Sequence, residues 1–285
     1  MIAGKHVLVA GGTNFDIIVR ATRLPDEHEK LRGNDYAAFP GGSAANTALG
    51  LVKQGCTAGL VSAVGNDTLG TVCLDGLRAG GVGTSLMRVD TTTRTSMAIV
   101  LSSTTGKRMM TFAGADRDLA FNAVTEEDVA RADHIHLVGD PTPSLGRLAE
   151  LAHRAGRSVS VEWNGRDMSP LARGASLNLM NSDEASRLPE ASPGDTAGTA
   201  QRYAKLLSGD VILTLGSAGA LWASSNGRLV QEPTVPVEPV DRTGGGDAFN
   251  AGVIAGWLYG ESPAQCMRRG LDAALHVITK TGAQP

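Results

Sequence analysis

"DRTGGGDAFNAG", residues 241–252, sets three consecutive glycines between two carboxylates and runs straight into an apolar, helix-like segment, "AFNAGVIAGWLYG". Without Cβ atoms, glycines let a backbone turn several N–H groups toward one point. The amino end of a helix adds roughly half a positive charge and unpaired amides. Gly244, Gly245 and Gly246, with Thr243 beside them, are therefore a candidate anion hole for a phosphoryl group. Asp247 follows on the first helical turn. A carboxylate there can take the proton of a substrate hydroxyl, help worth ~10²–10⁴-fold. It can equally cap the helix, and this stretch alone leaves the two readings level. No GxxxxGK[ST] loop is present and no GxGxxG follows the first strand, so neither common nucleotide fingerprint applies.

Working outward, short apolar runs alternate with amphipathic ones. "KHVLVAG" (5–11) and "AGLVSAVG" (58–65) read as strands. "SAANTALGLVKQG" (43–55) and "NDTLGTVCLDGLRAGG" (66–81) read as helices, the first stopped by Gly55, the second capped by Asn66 or Asp67. The alternation resumes from "HIHLVG" to "DVILTLG", then a hairpin turns at Asn226-Gly227. Two helices, roughly 247–259 and 263–280, end the pattern. The class is α/β, a doubly wound, mostly parallel sheet flanked by helices. Segments near 14–40 and 90–114 break the repeat and read as a small β lid on a single domain spanning 1–285.

Composition narrows the function. A net charge of -3 and 4% aromatic residues exclude a general nucleic-acid binder. Cys56, Cys73 and Cys266 are few and scattered, as in reduced cytoplasmic proteins. The N-terminal apolar run is too short for a signal peptide, and no run of 18 apolar residues suggests a membrane span.

The glycine stretch resembles the C-terminal signature of the ribokinase/PfkB carbohydrate kinases, D-T-x-G-A-G-D, with Arg242 and Gly245 as departures. "PGGSAANTALGL" (40–51) resembles the family's N-terminal signature, G-G-x-x-x-N. "SAVGNDTLG", "NSDE", "TLGSAG" and the terminal "KTGAQP" are similar to further family segments, so the resemblance spans almost the whole chain. It implies a ribokinase-like fold with a β lid and ATP-dependent phosphorylation of a sugar or nucleoside hydroxyl. Asp247 is then the base and Gly244 to Gly246 the anion hole.

The remaining site residues follow from that resemblance together with local chemistry. Asn14 and Asp16, after the first strand, suit adjacent sugar hydroxyls. Gly41, Gly42, Ser43 and Asn46 complete the expected sugar site, with Ser43 standing where ribokinases commonly carry lysine. Asp140 matches an acidic sugar contact. Asn181 and Glu184 of "NSDE" are expected to organise Mg²⁺, Glu184 through water. Thr214, Gly216, Ser217 and Gly219 fit the nucleotide loop, and His276 with Val277 the adenine pocket. Asp241 lies where family members hold a monovalent cation such as K⁺. "VEWNGR" (161–166) resembles a D-x-N-x-R segment with Glu162 in place of Asp, and Arg166 suits a phosphate or an acidic substrate. His134 and His136 alternate on one strand and read as structural. The expectation is a cytoplasmic ATP:sugar phosphotransferase, homodimeric through the lid. A nucleoside kinase and a non-catalytic sugar or nucleotide sensor are the alternatives.

Overall fold

The computed structural model describes residues 4–104, 106–189 and 191–279. The chain opens with β1 (His6–Ala10), enters a small sheet through β2 (Asn14–Arg20) and β3 (Asp35–Gly41), and returns by α1 (Ser43–Lys53) to β4 (Thr57–Val61). Strands β5 (Ala63–Gly65) and β6 (Arg88–Asp90) flank α2 (Thr68–Ala79), and β7 (Met97–Ser103) and β8 (Gly106–Phe112) complete the small sheet. Short helices α3 (Asp118–Ala123) and α4 (Glu126–Ala130) lead back to the core. There β9 (His134–Val138), α5 (Pro143–Arg154), β10 (Ser158–Glu162), α6 (Ser169–Ala172), β11 (Leu177–Asn181), α7 (Ser182–Ala185), α8 (Thr196–Leu207) and β12 (Asp210–Thr214) follow. A hairpin, β13 (Ala220–Ala223) and β14 (Leu229–Glu232), precedes α9 (Gly245–Leu258) and α10 (Pro263–Ile278).

The main sheet has the order β14-β13-β12-β11-β10-β9-β1-β4. It is parallel from β4 to β12 and antiparallel at the β13–β14 edge. Its central strands are buried on both faces, which is why they read as continuous apolar runs instead of alternating ones. One core layer packs α5 and α8 on the sheet, and the other packs α1 and α9. Helix α9 is apolar all round and lies between the sheet, α1 and α10. A Cβ at Gly252 would come within 2.7 Å of Gly270 Cα, so only a residue without a side chain allows α9 and α10 to cross this closely.

The small sheet, β3-β2-β7-β8, stands over the carboxyl ends of the main strands. Residue 90, expected at the start of the lid, belongs elsewhere: β6 pairs with β5, and the second lid segment begins at Met97. The run 58–65 is likewise two strands, because the chain leaves the main sheet after Val61. Helix α9 begins at Gly245, two residues before the sequence expectation, so the glycine run is part of the helix start. The segment "KTGAQP" lies outside the described residues. Among the described residues no helix is long and apolar enough to cross a membrane.

Candidate active site

A cleft of ≈ 370 Å³ opens between the small sheet and the carboxyl ends of β10, β11 and β12. Ligands bind at this end of open parallel sheets because loops and helix amino ends converge there. Gly244 is the N-cap of α9 and takes a left-handed conformation, φ 78, that other residues adopt only with strain. Gly244, Gly246 and Thr243 line the cleft, and nothing lies within 4 Å of a Cβ built at Gly246. Thr243 Oγ1 is buried without a hydrogen-bond partner, a donor in want of an acceptor. Gly245 turns toward Ile278 instead of the cleft.

Asp247 is the third residue of α9, not its cap, and its side chain makes no capping bond. It is 8% exposed and accepts a 2.8 Å hydrogen bond from Asn46 Nδ2 on α1. Burial, then the Glu162 carboxylate nearby, raise it to about 7, against the hydrogen bonds from Asn46 and Ser43. Glu162, at the end of β10, is raised to about 7 by burial and by Glu184, and accepts from Asn250 Nδ2 at 3.0 Å.

On the lid side, Asn14 and Asp16 of β2 line the cleft with Gly42, Ser43 and Asn46. Asp16 is raised to about 6 by burial and by Asp247, and its Oδ1 has no partner. Gly41 lies directly against the Asp16 carboxylate. Gly42 caps α1 at φ 100, and a Cβ there would come 2.5 Å from the carbonyl of Gly12, so this crossing of β1 and α1 requires glycine. Ala98, Val100, Met109 and Thr111 form the lid wall.

Asn181 and Glu184 also line the cleft. They form a reciprocal capping box for α7: Glu184 N donates to Asn181 Oδ1 at 2.8 Å, and Asn181 N donates to Glu184 Oε2 at 3.0 Å. The glycine run and Thr243 suit a phosphate, and an oxygen-rich wall of Glu184, Asn181 and Glu162 suits Mg²⁺ that keeps most of its waters. Among the described residues no cluster of three metal-ligating side chains would hold an ion unaided.

Several expected residues stand off the cleft. Asp140 is engaged by Arg166 Nε at 2.6 Å and Arg117 at 3.6 Å, beside a separate cavity of ≈ 70 Å³. His276 is exposed on α10 in a groove it shares with Lys53 and Asp272. Val277, its expected neighbour, is buried in the core. Asp241 pairs with Arg20 of β2 at 3.4 Å and accepts from Thr243 N at 3.0 Å. Thr214 lines the cleft, while Gly216 and Ser217 are exposed on the turn that follows it and Gly219 is buried at its end. Sequence reasoning missed Asn164, Asn250 and the lid wall. Asn164 stands at the N of the D-x-N-x-R-like segment, just past a strand end, while Asn250 and the lid wall were signalled by position, one turn after Asp247 or on a lid strand.

The sequence profile of the pfkB family carbohydrate kinase matches residues 5–285. The ribokinase of Bacillus subtilis is 27% identical over 98% of this chain and 95% of its own length. A nucleoside kinase of Methanothermobacter thermautotrophicus is 26% identical over 100% of this chain and 93% of its own. The solved structure of Arabidopsis thaliana ribokinase, complexed with ribose and ATP, superposes with a TM-score of 0.84 at 25% identity, covering 99% of this chain and 95% of that one.

Proposed function

This chain belongs to the pfkB family of carbohydrate kinases, and from that premise we propose that it moves the γ-phosphoryl group of ATP to a hydroxyl of a small sugar of ribose or fructose type. The observation that carries this reading is Asp247, a buried carboxylate one turn into α9, beside the glycine run and within the same cleft as Asn14 and Asp16. Asn14, Asp16 and Asn46, with Gly42 and Ser43, hold the sugar hydroxyls. Asp247 takes the proton of the acceptor hydroxyl as its oxygen attacks the γ-phosphorus. The bond to the β–γ bridging oxygen breaks and its electron pair leaves with ADP. The amides at Gly244 to Gly246 meet the charge on the transferring oxygens, where fixed dipoles act without reorganising. Glu184 and Asn181 would hold Mg²⁺ through its waters, and the ion would neutralise phosphate charge. The turnover of Asp247→Asn with its best acceptor tests the assignment, and undiminished turnover would sink it.

A nucleoside acceptor is the second reading. It is favoured by the apolar lid wall of Ala98, Val100 and Met109, which suits the face of a base, and by the nucleoside kinase relative. Rates with ribose, fructose, ketodeoxygluconate, adenosine, inosine and pseudouridine decide between the two.

The setting we propose is the cytoplasm, where buried free thiols such as Cys56, Cys73 and Cys266 persist. A homodimer through the lid is supported by the sheet face turned from the cleft. There Ile17, Ile99 and Met110 are cross-strand neighbours, and Tyr36, Met110 and Phe112 are exposed. Arg20 supplies positive charge at Asp241, where the resemblance expects a monovalent cation such as K⁺. Similar rates in K⁺ and in tetramethylammonium buffers are the expected result.

A further inference from the structure

Helix α2 lends no side chain to the cleft, yet it reaches two lid strands and the entry to a third. Cys73 Sγ donates to the carbonyl of Asn14 at 3.4 Å, where β2 begins. A Cβ at Gly76 would come 3.0 Å from Pro40 Cγ, so the middle of α2 lies close against the end of β3. The N-cap of α2, Asp67, meets Thr95, two residues before β7.

Asp67 does two things with one carboxylate. Its Oδ1 accepts from Gly70 N at 2.8 Å, the capping bond of α2. The same oxygen accepts from Thr95 Oγ1 at 2.7 Å, and Oδ2 accepts from Thr95 N at 2.9 Å. Thr95 is buried, and its Oγ1 in turn accepts from Gly65 N, at the end of β5, at 3.0 Å. A Cβ at Gly65 would come 2.4 Å from Thr95 N, so the two backbones touch here. Ala115 N donates to the carbonyl of Arg94 at 2.8 Å, which closes the return from β8 at the same point.

Strand β7 needs such a fixed point. It pairs with β2 in parallel, and a parallel pair has no tight turn to set its register. The chain between them runs through β3, α1, β4, β5, α2 and β6. Pairing begins just past Thr95, where Phe15 N donates to the carbonyl of Ser96 at 2.8 Å. The register then decides the wall over the acceptor. Ala98 stands beside Asp16 and Val100 beside Ile18, and both Ala98 and Val100 line the cleft. A slip of one residue would turn both to the outer face of the lid.

We propose that Asp67 is a positioning residue of the acceptor site: by holding Thr95 it sets the register of β7 on β2, and so the room left beside Asp16 for the acceptor. This rests on the lid side of the cleft as the acceptor site. Asp67 acts through Thr95 on Ala98 and Val100, and the glycine run and Asp247 stand apart from that chain of contacts.

The variant Asp67→Asn separates the clamp from the cap. Asparagine still caps α2, with its oxygen on Gly70 N. Its amide nitrogen then replaces the oxygen that faces Thr95 N, and two donors oppose each other. Hydrogen exchange of the free protein tests the clamp without any substrate. The amides of β7 are expected to exchange several-fold faster in Asp67→Asn, while those of α1 and α9 keep their wild-type rates. Unchanged β7 amides overturn the proposal and leave the kinase reading untouched. Faster exchange in α1 and α9 to the same degree also overturns it, because that marks a general loss of stability. Kinetics with the best acceptor of the sugar and nucleoside panel test the consequence. The acceptor KM is expected to rise about tenfold, with kcat and the KM for ATP little changed. Thr95→Val, which lacks Oγ1, is expected to reproduce the rise, and Thr95→Ser, which keeps it, to behave as wild type. The double variant Asp67→Asn/Thr95→Val is expected to be no worse than the more affected single variant. An unmoved acceptor KM, equal rises in both KM values, or additive effects in the double variant overturn the proposal.

Discussion

The core wall of the cleft carries Asp247, Glu162 and the amino end of α9, whereas the lid wall carries Ala98, Val100 and Met109. Both walls are costly to fold, for different reasons. The core wall buries carboxylates whose charge is poorly solvated, and the side-chain amides of Asn46 and Asn250 hold them in place. Away from Asn14, Asp16 and Thr111 the lid wall is apolar toward the cleft, and its sheet is also apolar on its outer face, where Tyr36, Met110 and Phe112 are exposed. The chemistry therefore belongs to the rigid wall. Water exclusion and acceptor choice belong to the thin one.

The largest test of this division is on the core wall. Asp247→Asn is expected to lower kcat by ~10²–10⁴-fold with KM for the acceptor little changed, measured by coupled ADP release. A variant that lost only KM would move the base's role to the lid side. The same residue determines a pH dependence. The base works ionised, and its value is raised to about 7, so kcat/KM is expected to fall as pH drops through neutrality and to level off above it. A profile flat from acid to neutral pH would break the assignment.

Gly42→Ala is expected next in size. Its φ of 100 and the approach to the Gly12 carbonyl leave no room for a Cβ, costing about 1–3 kcal/mol in urea unfolding and weakening sugar binding. Asp16→Asn separates function from stability. The folded value is raised to about 6, so the buried acid penalises folding as pH rises from about 4 through 6, and the penalty is complete above that. The variant is expected to be more stable than wild type by about 1–3 kcal/mol at pH 8, equal to it below about pH 4, and poorer in acceptor KM. The smallest effect on turnover is expected from Met110→Glu, which places a charge on the lid's outer face. Sedimentation should show monomer, and kcat should change less than in any core-wall variant; an unchanged dimer would mean that the face is not the interface.

What could be read beforehand followed from local rules. The continuous apolar strands, the capped helices and the glycine run entering a helix each depend on residues near one another in sequence. The short helices α3, α4, α6 and α7 were not legible, because a run of four to six residues is too short to show a helical period. The lid boundary failed at residue 90 because a short strand does not announce its partner. Asp140 was placed at the sugar by likeness, yet two arginines distant in sequence converge on it.

Asp247 shows the division most sharply. The sequence by itself determined that a carboxylate follows three glycines at a helix start, and left capping and catalysis level. Only the tertiary structure decided that Gly244 caps the helix while Asp247 turns to Asn46, 201 positions away. Likewise, parallel pairing of β9 with β10 sets His134 opposite Ser158 and His136 opposite Ser160, in line with Glu162. Strand alternation says which residues share a face. Which faces and partners meet is decided by packing over long separations, and with it the charge a buried group carries.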